Sequence, residues 1–143
     1  MNDLMGRLDA QRANAILLVR VTLAAVLIVA GYPKLFVAGI PAVIDGFSNM
    51  GLFAAPILGP VVTLLEFFGG IAILLGVGSR LLSIWVIVQF TIITIYVKPV
   101  LQGQDWSSMR LTLMVAVLGF IIATYGPGPM ALGKRLTGRS WAQ

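Results

Sequence analysis

Four long apolar runs, at 16–36, 57–77, 81–97 and 109–126, take up most of this 143-residue chain. A bilayer core of ~30 Å is crossed by roughly 20 residues of helix; the first two runs reach that length, and the last two draw on their flanks. Inside lipid every backbone N–H and C=O must be satisfied within the protein, which leaves only helices and closed barrels. A barrel would show ~10-residue segments of alternating polarity, and none is present. The fold class expected is therefore an all-α membrane protein, a four-transmembrane-helix bundle. A composition of 59% hydrophobic and 10% charged residues agrees with it. Four spans and short connections use nearly the whole length, so residues 1–143 are expected to form a single membrane domain, with no room for a separate soluble enzyme.

The connections refine this picture. Gly78, Ser79 and Arg80 leave so little chain between the second and third runs that the two must form an antiparallel hairpin. Between the first and second runs, over about 40–51, Ile40, Val43, Ile44, Phe47 and Met50 recur at helical spacing, with Asp45, Ser48 and Asn49 between them. Pro41 suits a first turn and Gly51 a stop. This is the pattern of a short amphipathic interfacial helix, which either rests on lipid or caps a cavity between helices; resting on lipid is the simpler expectation. Gly126-Pro127-Gly128-Pro129 ends the fourth run. The basic tail beyond, with Trp141, is expected at the membrane surface and dispensable for insertion. Asp3, Asp9 and the lack of a small-residue cleavage site argue that the first run is a retained helix, not a signal peptide.

Charge placement sets the orientation. Arg7, Arg12, Arg80, Lys134, Arg135 and Arg139 fall on the side of the termini, against Lys34, Lys98 and Arg110 on the other. The positive-inside rule then puts both termini in the cytoplasm of a multi-pass cell (inner) membrane protein. The net charge of +5 reflects this topology and gives no basic solvated domain for nucleic acid.

Two absences narrow the chemistry. With no Cys there is no thiol nucleophile, disulfide exchange, iron–sulfur cluster or thiolate zinc site. With no His, the usual haem ligand and the commonest metal ligand are missing too. The Met residues are scattered and read as packing residues. Any redox role must use a diffusible cofactor or a partner protein.

Against this background Glu66 stands out. It lies mid-run, where an acidic residue costs roughly 2.5–3.5 kcal/mol on insertion scales; about a dozen Leu, Ile, Val and Phe around it offset this at roughly 0.3–0.6 kcal/mol each. Glu66, Gly69, Gly70, Ile73, Gly76 and Val77 share one stripe, whose small residues favour close approach of a neighbouring helix. Arg20, Ala24, Leu27, Gly31 and Lys34 make a matching stripe on the first run. Rise counting places Glu66 about midway between Arg20 and Lys34, ~10 Å from either, and leaves both as partners; Arg20 is slightly favoured because it is the deeper cation. Trp85, Gln89, Ile92 and Tyr96 share a face of the third run, with Gln89 as the one mid-membrane amide and the two aromatics as interfacial anchors. Arg20, Lys34, Glu66 and Gln89 are the candidate intramembrane polar site. Asp105, Trp106 and Arg110, beside Gln104, form a candidate outer-rim cluster.

Leu18-Val19-Arg20 with Gly31-Tyr32-Pro33-Lys34-Leu35, Glu66-Phe67-Phe68-Gly69-Gly70 with Leu74-Leu75-Gly76, Ser79-Arg80-Leu81, and Gly126-Pro127-Gly128 occur in that order. Together they resemble the DoxX family of small four-helix membrane proteins. The chain departs from the family pattern after Pro129, where Met130-Ala131-Leu132 replaces a common Ser and acidic residue, and at Pro33, which interrupts the usual small residues before Lys34. The resemblance implies a membrane subunit, non-catalytic or quinone-contacting, that holds a redox partner, as in a thiosulfate:quinone oxidoreductase. No covalent cofactor, haem, iron–sulfur or zinc is expected, from the missing Cys and His, and the resemblance implies quinone as the ligand, with the lipid bilayer, a second copy or a membrane redox complex as partners. A small-solute or proton-coupled carrier, which also uses a midplane carboxylate, and a structural assembly protein are the alternatives.

Overall fold

A computed structural model describes residues 2–133. Helix α1 (Asn2–Tyr32) passes through a wide π-helical segment, π1 (Pro33–Ala38), into α2 (Gly39–Asn49). Then follow α3 (Ala55–Leu75), α4 (Ser79–Ile92) continuing as π2 (Ile93–Leu101), and α5 (Trp106–Tyr125). Among the described residues there is no strand. Four helical runs are long and apolar enough to cross a bilayer: Leu4–Asn49, Ala55–Leu75, Ser79–Leu101 and Trp106–Tyr125. The protein is an all-helical, multi-pass membrane protein. Lys134, Arg135, Arg139 and Trp141 of the basic tail lie outside the described residues.

Packing follows the stripes. Arg20, Ala24, Leu27 and Gly31 of α1 are all buried, as are Glu66, Gly69, Gly70 and Ile73 of α3 and Gly76 at its C-cap. A Cβ on Gly31 would lie 2.6 Å from the Phe67 backbone nitrogen, and one on Gly70 2.9 Å from Ile28 Cγ1. Lipid tails are as apolar as leucine, so this closeness of backbones, rather than exclusion of water, is what joins α1 to α3. On the other side α4 packs along α5. Gly119 lies against Val86, and Thr94 Oγ1 lies within hydrogen-bond distance of both the Phe90 carbonyl and Thr112 Oγ1, each at 2.7 Å. Leu23, Leu27, Ile73, Val86, Phe90, Val115 and Ile122 form the core between these pairs. Helices α3 and α4 touch sparsely, mainly towards their shared hairpin, where Gly69 meets Leu82.

Both π segments contain a proline, Pro33 and Pro99. Proline lacks the N–H of an α turn and its ring clashes with the carbonyl one turn back; widening the helix relieves both. Each proline also has a lysine beside it, Lys34 and Lys98. After π1 the chain turns at Gly39, whose φ of 82° favours a residue without a Cβ. Helix α2 then lies against α3: Val43 is buried and Ile44 fits over Gly59. The 40–51 segment is thus a helix, as its periodicity suggests, but its apolar face packs on protein instead of resting on lipid alone. The chain after α5 also packs on the bundle. Pro127 and Ala131 are buried, and Ala131 sits where a Cβ on Gly76 would meet it at 2.7 Å. Residues 127–131 thus fold back against the bundle. Helix α1 also starts well before its apolar run, because Leu4–Ala15 carries no helix breaker other than Gly6.

Candidate functional site

Glu66 lies near the middle of α3 with its side chain 2% exposed. The stripe that buries it also aims it at the end of α1, where π1 swings Lys34 inwards. Lys34 Nζ donates to Glu66 Oε2 at 2.5 Å. The other carboxylate oxygen accepts from Gln89 Nε2 at 2.7 Å, and Gln89 Oε1 in turn accepts the Trp85 indole N–H at 2.7 Å. Trp85 and Gln89 are one helical turn apart on α4, so their side chains meet directly. The result is a continuous relay, Trp85 to Gln89 to Glu66 to Lys34, across α4, α3 and π1. A lone carboxylate at this depth would be expensive; one paired with a cation and hydrogen-bonded on both oxygens is tolerated.

This relay lines one part of a cleft of about 450 Å³ between α3 and α4. Leu58 and Val62 from α3 and Val88, Ile92, Ile93 and Val97 from α4 and π2 make its apolar walls, and Phe47 and Met50 bring α2 over it. The cavity that α2 could cap therefore exists. Lys98 and Gln102 lie at its far end, where Lys98 Nζ donates to the Ser108 carbonyl at 2.6 Å and Gln102 Nε2 approaches Met50 Sδ at 3.0 Å. The size suits a small organic ligand, and apolar walls with a few convergent polar groups are the usual make-up of such sites.

Of the four residues expected in the intramembrane site, the structure brings together Lys34, Glu66 and Gln89 and leaves Arg20 out. Arg20 is 3% exposed, yet its Nη1 donates to the carbonyls of Pro127 at 2.7 Å and Pro129 at 3.1 Å. The slight preference for Arg20 as the partner of Glu66 is thus reversed in favour of Lys34. The reason is register: Gly31 opposite Phe67 puts Lys34 within a turn of Glu66, while Arg20 falls level with Gly76 at the α3–α4 hairpin. The outer-rim cluster does not assemble. Asp105, Trp106 and Arg110 are all exposed at the start of α5, and among the described residues Asp105 makes no side-chain cap and no ion pair with Arg110.

Sequence reading missed two contributors and misplaced a third residue. Trp85 belongs to the relay instead of serving as an interfacial anchor; its spacing of four from Gln89 was the available signal. Tyr96, on the same nominal face, does not line the cleft, because π2 breaks the α-helical period before it. In the sequence Lys98 counts only as a charge on the side away from the termini, and the adjoining Pro99, matching Pro33-Lys34, is the clue to its place in the wall.

Neither the curated proteins nor the solved structures searched gave a match to this chain. The DoxX family model matches residues 15–99, more than half of the sequence and the part that supplies Trp85, Gln89, Glu66, Lys34 and Lys98. With its four helical runs and its buried polar relay, the chain belongs to the DoxX family.

Proposed function

We propose that this protein is a non-catalytic, ligand-holding membrane subunit whose cleft receives a quinone headgroup at Lys34, Glu66 and Gln89, and which holds a redox partner at the inner membrane. The observation that carries this reading is the relay itself: a hydrogen-bonded carboxylate, ammonium and amide in the wall of an otherwise apolar cleft. A quinone needs hydrogen-bond partners for its ring oxygens and apolar surface for its chain, and the chain's own residues supply both. When bound, a quinone would supply the electron chemistry that the Cys-free, His-free side chains lack. Glu66 and Lys34 would hold a proton beside it.

A carrier would need a polar path onward to the terminal end of the bundle. There Leu23, Leu27 and Ile73 are fully buried instead. The test is native extraction of the full chain into lipid discs, followed by mass spectrometry of bound lipophiles and co-eluting proteins. A quinone retained by the wild type and lost in Glu66→Gln and Gln89→Met supports the reading; wild-type discs no richer in quinone than the surrounding membrane refute it. Orientation is read separately by reporter fusions, expected external at Gln104 and cytoplasmic at Ser79 and Gln143.

A further inference from the structure

We infer that a groove between α1 and α5 is a phospholipid site whose mouth matches a zwitterionic headgroup, with Arg12 taking the phosphate and Asp9 the primary ammonium of a phosphatidylethanolamine. The groove lies between other helices than the cleft, so the inference stands apart from the quinone reading. Arg12, Ala15, Ile16 and Val19 of α1 and Ile121 and Tyr125 of α5 line about 440 Å³. A second hollow of about 530 Å³ shares Arg12 and Ala15 with it and continues towards the start of α1, past Asp9 and Gln11. Asp9, Arg12, Ile16 and Val19 recur at intervals of three and four, so a single face of α1 runs through both.

The character of this face changes along the helix. Ile16 begins the apolar run, and Ile16, Val19 and Ile121 offer a ligand only hydrocarbon. Arg12 lies about one turn outside that run, and Asp9 nearly one turn further out. Apolar wall, cation, anion is also the order that matches an acyl chain, a phosphate and an ammonium on the way out of a bilayer leaflet. Basic pockets between transmembrane helices bind lipid headgroups in general. Here the carboxylate beyond the arginine repels a headgroup with a second negative charge and attracts one that carries an ammonium. The Arg12–Asp9 pair does not use these groups up: Nη1 and Oδ1 are 4.0 Å apart, with the side chains 78% and 77% exposed. Exposed pairs of this kind contribute little, so the guanidinium keeps donors and the carboxylate keeps acceptors for a ligand. Across the groove, the exposed Tyr125 adds a phenol near the helix end, where tyrosines of membrane proteins meet headgroups.

The experiment places the full chain in lipid discs made of equal parts phosphatidylethanolamine, phosphatidylglycerol and phosphatidylcholine with identical acyl chains. The protein is released into mild detergent, and the phospholipids still bound are identified by native mass spectrometry. The expected result is phosphatidylethanolamine enriched about fivefold over each of the others in the wild type. Asp9→Asn should bring that ratio to within about twofold of unity with phospholipid still bound, and Asp9→Lys should turn it in favour of phosphatidylglycerol. Arg12→Gln should lower retention of all three. Both side chains are exposed, so the variants keep the fold, which an unchanged unfolding temperature verifies. Bound lipids in the proportions of the discs, a wild-type preference for either of the other lipids, an enrichment undiminished in Asp9→Asn, or retention undiminished in Arg12→Gln overturns the inference. So does a native mass of two chains without bound phospholipid, which puts a second copy in the groove.

Discussion

Arg20 and Lys34 lie on one stripe of the same helical run, both are cations inside an apolar bundle, and the protein treats them in opposite ways. Arg20 is enclosed. Its guanidinium meets the carbonyls of Pro127 and Pro129, and it lies outside the cleft that Lys34 borders. Arginine's planar fork suits several backbone acceptors at once, and here it fastens a Gly-Pro turn that cannot make helical hydrogen bonds of its own. Lys34 is paired with a carboxylate and borders a cleft. A buried charge with no free volume beside it is a fastening; one that borders free volume keeps hydrogen-bonding capacity for something else. Burial alone therefore does not identify a binding site, since Arg20 and Glu66 are equally hidden.

The comparison can be broken at its strongest point by Arg20→Leu. This removes two charge-assisted hydrogen bonds and leaves one buried and one part-buried carbonyl unsatisfied, an expected loss of about 3 kcal/mol. Thermal unfolding in detergent should fall sharply while ligand retained per folded molecule stays constant. Ligand loss at constant stability would reverse the assignment.

Glu66→Ala should have a smaller structural effect, about 1–3 kcal/mol, because Lys34 is partly exposed and can extend towards water once its partner is gone. It should abolish ligand retention. Glu66→Gln sharpens the contrast: stability close to wild type with retention lost separates the two ends of the bundle, whereas wild-type retention would make the carboxylate a passenger.

Truncation comes next. Ending the chain after Gly133 should leave the unfolding temperature within a few degrees of wild type. Ending it after Pro129 removes Ala131 from its seat on Gly76 and should cost about 1 kcal/mol. Equal stability of the two truncations would mean that the fold-back contributes nothing. At the bottom of the scale, Asp105→Ala and Trp106→Ala remove exposed side chains and should each change stability by less than about 0.5 kcal/mol.

What could be read from the sequence was whatever has a period. The stripes on α1 and α3 are set by helical geometry, and every residue on them except Lys34 and Val77 is buried. Depth and partner choice have no period. Rise counting leaves Arg20 and Lys34 equivalent, and only the register fixed by Gly31 against Phe67 separates them. The Gly-Pro turn announces that a helix stops; it does not announce that the next residues re-enter the bundle. Trp85 was visible beside Gln89, but an indole near a helix end matches the interfacial pattern as well as it matches a hydrogen-bonded pair. Widening at Pro33 and Pro99 shifts every face beyond it, so Tyr96 could not be placed by counting from Gln89.

The sparse meeting of α3 and α4 carries one more implication. Val88 and Ile92 line the cleft yet are about half exposed, so the opening between the two helices faces sideways into the hydrocarbon. A ligand that dissolves in the membrane can reach the relay by diffusing within the plane of the bilayer, without first entering water. Occupancy would then follow the mole fraction of the ligand among the lipids, and weak intrinsic binding would suffice for a compound that the membrane itself concentrates.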